Sequence, residues 1–449
     1  MNVVRINTAH QSIDDTKKVI ANVREVSEKI AILIDTKGPE VRTTKVATGD
    51  DMEFTEGSTV LVSGNPEKES SVEHVCVNHE NFGSEIAVGQ KILFDDGAVE
   101  LLIESIDSGI AQCKVLNSGS IGSRKTVSVP GAKFSLESVT KKDREYIKFA
   151  AQEDLAFIAH SFIRHKEDLQ EVQAILDAVG NNNVQIIAKI ENQQGVDNID
   201  EILDNCFGIM VARGDLGVEV PGHKVPSIQK RLIRQARSQH KVVIVATQML
   251  HSMIKNPRPT RAEINDVATA VYDYADAVML SGESAYGEYP RKAVQLMTTI
   301  CEEVENELAG RTVKIPDIIE ANDIPSYLSL VSVHAATALE LSAVVVDTTF
   351  GTTPRRIAGH RGTKPIYAFC YNEQTMRQMA LCRGIYADYM QPVETSEDFV
   401  RNALRTLGSR EVLTDDDKVA VIAGNFAPQH GASFIEISTV KNLKRDHQS

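Results

Sequence analysis

The strongest constraint on this chain is a repeated alternation. Short runs dense in apolar and β-branched residues are each followed by a helix-like stretch. Seven such runs occupy residues 3–6, 31–34, 156–159, 185–188, 209–212, 242–246 and 277–280. Runs this continuous suit strands covered on both faces, as parallel strands are. Residues 227–239 carry Ile228, Leu232, Ile233 and Ala236 on one helical stripe, and Thr260-Arg261-Ala262-Glu263 has the spacing of a capping box. Repeated strand–helix units build right-handed parallel connections. The expected class is therefore α/β, a TIM-type (β/α)8 barrel. Such a barrel needs one strand more than the runs found, so the first is expected to be missing upstream of Met1.

Residues 39–130 have a different texture. Strand signals at 60–62, 92–94 and 99–103 are short, helical periodicity is scarce, and Asp95-Asp96-Gly97 reads as a hairpin turn. This stretch is expected to be a small antiparallel β-barrel domain inserted into a barrel made of 1–38 and 131–310. From 325 to 449 helix and strand signals alternate again, with strands expected at 344–346, 366–369 and 419–422, which makes a separate C-terminal α/β domain.

Composition narrows the classes of function. A net charge of −14 over 449 residues, scattered rather than blocked, argues against a nucleic-acid or membrane-surface protein. No apolar run approaches the roughly 18 residues of a spanning helix, and the N-terminus lacks the features of a signal peptide. Six cysteines without a Cys-x-x-Cys pair fit a reduced, cytoplasmic protein and support neither disulfides nor zinc.

Four motifs follow strand-like runs in order: Lys189-Ile190-Glu191-Asn192, Arg213-Gly214-Asp215-Leu216-Gly217, Ala246-Thr247-Gln248-Met249 and Leu280-Ser281-Gly282-Glu283. In a barrel they fall on the rim at the carboxyl ends of the strands, where catalysis occurs. Lys189 and Glu191 point the same way, because strand side chains alternate. They read equally as a simple ion pair or as part of a site. Asp215 stands at the end of the next strand between glycines that permit close backbone approach. Two carboxylates with room for substrate oxygens suit Mg²⁺, and Lys189 beside them suits an anionic substrate.

Taken together, these motifs resemble the pyruvate kinase family. Further residues carry the likeness: Asp35-Thr36-Lys37-Gly38-Pro39-Glu40-Val41-Arg42, Gly122-Ser123-Arg124-Lys125, Ser161-Phe162-Ile163-Arg164 and Asn256 through Glu263. The resemblance implies a catalytic barrel, a mobile β lid and a C-terminal domain of regulatory type. It implies transfer of phosphoryl from phosphoenolpyruvate to ADP, giving pyruvate and ATP, with Mg²⁺ (or Mn²⁺) and K⁺ as cofactors. By that resemblance Lys189 stabilises the phosphoryl group in transit, and Glu191 and Asp215 hold Mg²⁺. Arg5, Gly214, Asp215 and Thr247 hold substrate, and Thr247 lies near the carbon to be protonated. Ser281 and Glu283 order water and a proton relay. Asn7, His10, Arg42 and Lys125 match nucleotide contacts, although His10 is equally read as a structural histidine. Asn7, Asp35 and Thr36 match potassium ligands, with Glu40 marking the potassium-dependent branch.

The chain departs from the family at Ala9, where a serine hydroxyl is usual among the potassium ligands, and at Tyr286, where lysine is common. Thr348 through Thr353 reads either as a phosphate cradle for a sugar-phosphate or nucleotide effector or as an ordinary strand–helix turn. A homotetramer is implied by resemblance alone. Two other readings of the same residues stand: a Mg²⁺-dependent carbon–carbon lyase acting on 2-oxo acids, and a non-catalytic metabolite-binding subunit.

Overall fold

The computed structural model describes residues 1–9, 11–181, 183–309, 323–424 and 432–446. Two parallel strands, β1 (Val3–Asn7) and β2 (Ala31–Asp35), open the fold and are joined by the helix Ile13–Val26. Ser12 caps that helix by accepting the Asp15 N–H, a role short hydroxyl side chains favour. Every residue of β2 is buried, in keeping with its Ala-Ile-Leu-Ile-Asp sequence.

The chain then builds an insert from β3 (Met52–Phe54), β4 (Thr59–Gly64), β5 (His74–Val77), β6 (Lys91–Phe94), β7 (Val99–Asp107), β8 (Ile110–Val115), β9 (Gly119–Ile121) and β10 (Val127–Ser128). Six of these form one sheet in the order β10-β6-β7-β8-β4-β5, while β3 and β9 pair separately. The hairpin read at Asp95–Gly97 joins β6 to β7. A wholly antiparallel insert is corrected at one point: β4 and β5 run parallel, with Leu61 opposite His74. The connection 65–73 returns the chain to the starting end of the sheet, which a tight hairpin does not do. The insert has its own core around Phe54, Phe82, Phe94 and Leu101.

Parallel strands resume with β11 (Phe157–His160), β12 (Gln185–Ile190), β13 (Gly208–Ala212), β14 (Val242–Ala246) and β15 (Ala277–Met279). With β1 and β2 they make a curled sheet in the order β1-β2-β11-β12-β13-β14-β15, seven strands among the described residues. All seven coincide with the apolar runs of the sequence. The register keeps the strand ends level, Asn7 opposite Asp35 and Ala212 opposite Ala246, so one rim collects the residues that follow each strand. The helical stripe becomes Val225–Ser238, with Pro226 in its first turn, and the Thr260–Glu263 capping box forms in full.

The third sheet contains β16 (Ala343–Thr348), β17 (Ile366–Cys370), β18 (Ile385–Tyr389), β19 (Lys418–Gly424) and β20 (Ala432–Thr439), ordered β18-β17-β16-β19-β20. The edge strands β18 and β20 carry no dense apolar run, because half of each faces away from the core. Arg361 joins this unit to the barrel through two hydrogen bonds to Asp276, at 2.6 and 2.7 Å. No helix among the described residues is long and apolar enough to cross a membrane.

Candidate active site

Lys189, near the end of β12, is the centre of the rim. Its Nζ lies 3.0 Å from Oδ1 of Asp35, 3.0 Å from Oε1 of Glu191 and 2.6 Å from the Ser161 hydroxyl. Burial alone would strip its proton, but Asp35 and Glu191 outweigh burial and hold the ammonium charged. Asp35, at the end of β2, also accepts from Arg5 Nε at 2.5 Å. Burial opposes its charge as well; Lys189 and Arg5 prevail and keep the carboxyl below its usual range. A buried ion cluster of this kind stands only because each charge has partners.

Asp215 lies in the first turn of the helix Arg213–Glu219, immediately after β13. Its carboxyl is pushed up to about 7, first by the protein packed round it and then by the adjacent Glu191, against the pull of Lys189. The side chain nevertheless opens to solvent at the mouth of a cleft, so water weakens the effect of burial. What remains is repulsion between two neighbouring carboxylates, which a divalent cation relieves. The remaining oxygen of Glu191 accepts the Phe162 N–H at 2.7 Å, which fixes its orientation. Among the described residues no group of three or more His, Cys, Asp and Glu side chains forms a metal cage. A pair of carboxylates open to substrate oxygens is a donor set that fits Mg²⁺.

The next two strand ends form one hydrogen-bonded unit. The Gly214 N–H donates to the Thr247 hydroxyl at 2.9 Å. Arg213 donates to the carbonyls of Ala246 and Thr247 and to Asp266. Thr247 and Gln248 have φ of 70° and 54°, strained values for side chains of this size and common at functional sites. Glu283, 1% exposed, accepts the N–H groups of Leu250 and Ser281 at 3.1 and 2.8 Å. Both of its oxygens are thus engaged by the backbone.

At the end of β1, Asn7 Oδ1 accepts the Ala9 N–H at 3.0 Å, and Asn7 sits opposite Asp35 in the sheet. The Thr36 carbonyl accepts from Ser161 at 2.7 Å. The three oxygens read as potassium ligands therefore lie around the ends of β1 and β2, with Asp35 already bound to Arg5 and Lys189. Arg42 and Lys125 make their contacts within the insert. Arg42 bonds Glu40 and the Arg124 carbonyl, and Lys125 pairs with Asp95 at 2.8 Å. His10 lies outside the described residues. Sequence reasoning gave no role to Ser161 or Arg213, although both stand in motifs at strand ends, and that placement was the available signal.

In the turn after β16, Gly351 donates its N–H to the Thr348 hydroxyl at 2.8 Å, and Phe350 is exposed. This is the stretch read as an effector cradle or a plain turn.

A buried lysine beside paired carboxylates, on the carboxyl rim of a curled parallel sheet, defines a barrel enzyme acting on anionic substrates. Comparison with known proteins makes the assignment particular. The pyruvate kinase barrel-domain profile matches residues 1–294, and the pyruvate kinase alpha/beta-domain profile matches 328–437. A pyruvate kinase of Borreliella burgdorferi is 41% identical over 445 residues, covering 98% of this chain and 92% of that protein. One from Geobacillus stearothermophilus is 41% identical over 456 residues, covering 99% of this chain and 76% of the other. The crystal structure of a pyruvate kinase from Cryptosporidium parvum superposes with a TM-score of 0.91 at 32% identity, covering 98% and 91% of the two chains. The chain belongs to the pyruvate kinase family and is a phosphotransferase. That membership sets aside the lyase and the non-catalytic readings.

Proposed function

We propose that the chain transfers the phosphoryl group of phosphoenolpyruvate to ADP, taking up one proton and releasing pyruvate and ATP. The observation that carries this reading is the Lys189 ammonium, held charged between Asp35 and Glu191 beside the carboxyl of Asp215. Phosphoryl transfer asks for positioning and charge neutralisation rather than a protein nucleophile. Lys189 faces the phosphoryl group as it passes between oxygens. Asp35 and Ser161 keep its ammonium aimed, and Arg5 adds positive charge at the substrate. Glu191 and Asp215 are the residues for Mg²⁺, which when bound neutralises phosphate and enolate oxygens. The Thr247 hydroxyl, steadied by the Gly214 N–H, stands where the enolate carbon receives its proton. Glu283 holds Ser281 and the Thr247–Leu250 loop in place for that delivery.

The same reading assigns 1–38 and 131–310 to the catalytic barrel, 39–130 to a lid carrying Arg42 and Lys125 to the nucleotide, and 325–449 to a regulatory-type domain. Asn7, Asp35 and Thr36 provide for K⁺, with Ala9 leaving one position to water. Thr348 through Thr353 provides for a phosphate-bearing effector, and a cytoplasmic homotetramer completes the assignment. The test is pyruvate formation from phosphoenolpyruvate and ADP, with Mg²⁺ and K⁺ each supplied or withheld. Turnover that requires Mg²⁺ is expected; aldol cleavage without nucleotide, or ligand binding without turnover, overturns the reading.

A further inference from the structure

His160, the last residue of β11, is fully buried and takes no part in the chemistry described above. Ile158 packs in the helix-facing core, whereas Phe157 and Ala159 pack in the core on the other side of the sheet. Side chains alternate along a strand, so His160 falls on the helix side with Ile158. Ser161, next in sequence, meets the Lys189 ammonium on the rim. His160 therefore stands directly behind a group that aims the catalytic cation.

Two contacts decide which ring nitrogen carries the proton. Nε2 lies 3.1 Å from the Ser138 carbonyl, which can accept but not donate, so Nε2 is the donor. Burial holds the ring below its ordinary range, against the pull of Asp143 and Asp168, and leaves it neutral. A neutral ring protonated at Nε2 presents an acceptor at Nδ1. The Thr36 hydroxyl, 2.9 Å from Nδ1, then donates to it. The Ala159 carbonyl, the other acceptor near that hydroxyl, is 3.4 Å away.

With its proton directed to His160, the Thr36 hydroxyl oxygen accepts the Ser161 N–H at 3.1 Å. The Ser161 hydroxyl donates to the Thr36 carbonyl at 2.7 Å and receives Lys189 Nζ at 2.6 Å. The direction of each proton in this chain is thus set at its buried end. The Ser138 carbonyl selects the tautomer, the tautomer orients Thr36, and Thr36 holds Ser161 by both its N–H and its hydroxyl. Thr36 precedes the insert and Ser138 follows it, so His160 also ties together the segments that enter and leave the insert.

We infer that His160, as its Nε2–H tautomer, is a positioning residue for phosphoryl transfer: it fixes the Thr36 hydroxyl and, through Ser161, the aim of Lys189. This rests on the phosphoryl-transfer reading given above. The role requires an acceptor facing Thr36 rather than the bulk of an imidazole. Asn places its Oδ1 where His carries Nδ1 and so keeps that acceptor. Gln reaches Ser138 with its amide N–H and leaves Thr36 without an acceptor.

The experiment is steady-state pyruvate formation by the full chain and its variants, with a melting temperature for each. His160→Gln and Thr36→Val are each expected to lower kcat about tenfold, the scale of losing one buried hydrogen bond. KM for phosphoenolpyruvate is expected to stay near the parent value, and the double variant to lose no more than either single one. His160→Asn is expected to keep kcat within about threefold of the parent, although it fills the core less well and melts lower. Equal losses in the Asn and Gln variants, or a kcat that follows melting temperature across the set, overturn the inference. A folded parent without turnover overturns the phosphoryl-transfer reading instead. The tautomer is read independently of turnover by nitrogen NMR of the histidine rings, with the His160 signals identified by their loss in His160→Asn. A protonated Nε2 and a bare Nδ1 that shifts in Thr36→Val are expected; the reverse assignment overturns the inference.

Discussion

The Lys189 ammonium lies 3.0 Å from the Asp35 carboxylate, although β11 separates their two strands and the side chains are contributed 154 positions apart (189 − 35 = 154). Asp35 in turn holds Arg5, so three charges from three strands form one cluster, with Asp35 and Lys189 buried and Arg5 half-buried. The cluster holds the Lys189 cation aimed on the rim, and its loss has separable effects on chemistry and on folding.

Lys189→Met removes a charge that acts mainly as the phosphoryl group moves. Its kcat is expected to fall about a thousandfold, the scale of losing one preorganised electrostatic contact. Phosphoenolpyruvate binding, read by ligand-induced thermal shift, is expected to persist. Unchanged turnover would remove Lys189 from the role assigned to it.

Asp35→Ala leaves the buried Lys189 and the half-buried Arg5 without their shared anion. Removing one partner of such a pair costs about 3–5 kcal/mol. Urea unfolding is expected to show a loss of that size with an unchanged slope. A loss no larger than that of a surface substitution would mean the cluster relaxes by admitting water.

Ser161→Ala frees one of the three groups that aim Lys189. A hydrogen bond to a charged group contributes about 1.5–3 kcal/mol, so kcat is expected to fall about ten- to a hundredfold. KM for phosphoenolpyruvate should move little. A rise in KM alone would make Ser161 a substrate contact instead.

Glu191→Gln keeps the shape of the carboxylate pair and removes one charge. The Mg²⁺ concentration for half-maximal activity is expected to rise about tenfold or more, because a hard cation with few protein ligands depends on each charge. The parent's titration curve in this variant would place the metal elsewhere.

His360 and His240 meet edge to face, ring centroids 4.9 Å apart, where the third sheet's unit packs on the barrel. Burial, then the neighbouring His240, pushes His360 down to about 4. The unfolded chain keeps the ordinary value near 6.5 and so takes up this proton first as the medium is acidified. Stability from this group is complete above pH 6.5 and declines as pH falls from 6.5 towards 4. His360→Asn is expected to flatten that part of the melting-temperature profile; an unchanged slope would assign it to other groups.

Much of the fold was legible because parallel strands covered on both faces leave a simple mark. The runs at 31–34 and 242–246 have nowhere polar to point, and their structures are buried throughout. Edge strands leave a fainter mark: β18, Ile-Tyr-Ala-Asp-Tyr, is buried only at Ile385 and Asp388 and β20 only at Ala432, and both passed unread. The parallel pairing of β4 with β5 was unreadable for another reason. Strand direction depends on where the connection 65–73 travels, and local composition does not record that path.

The sequence by itself determined the periodicity of the barrel and which side chains stand at its strand ends. Lys189 and Glu191 share a face because side chains alternate along any strand. Only the tertiary structure decided which of those side chains meet. Asp35 and Ser161 reach Lys189 because the curl of the sheet brings distant segments within hydrogen-bond range. Partners separated by many residues are chosen by three-dimensional closure, which no local pattern encodes.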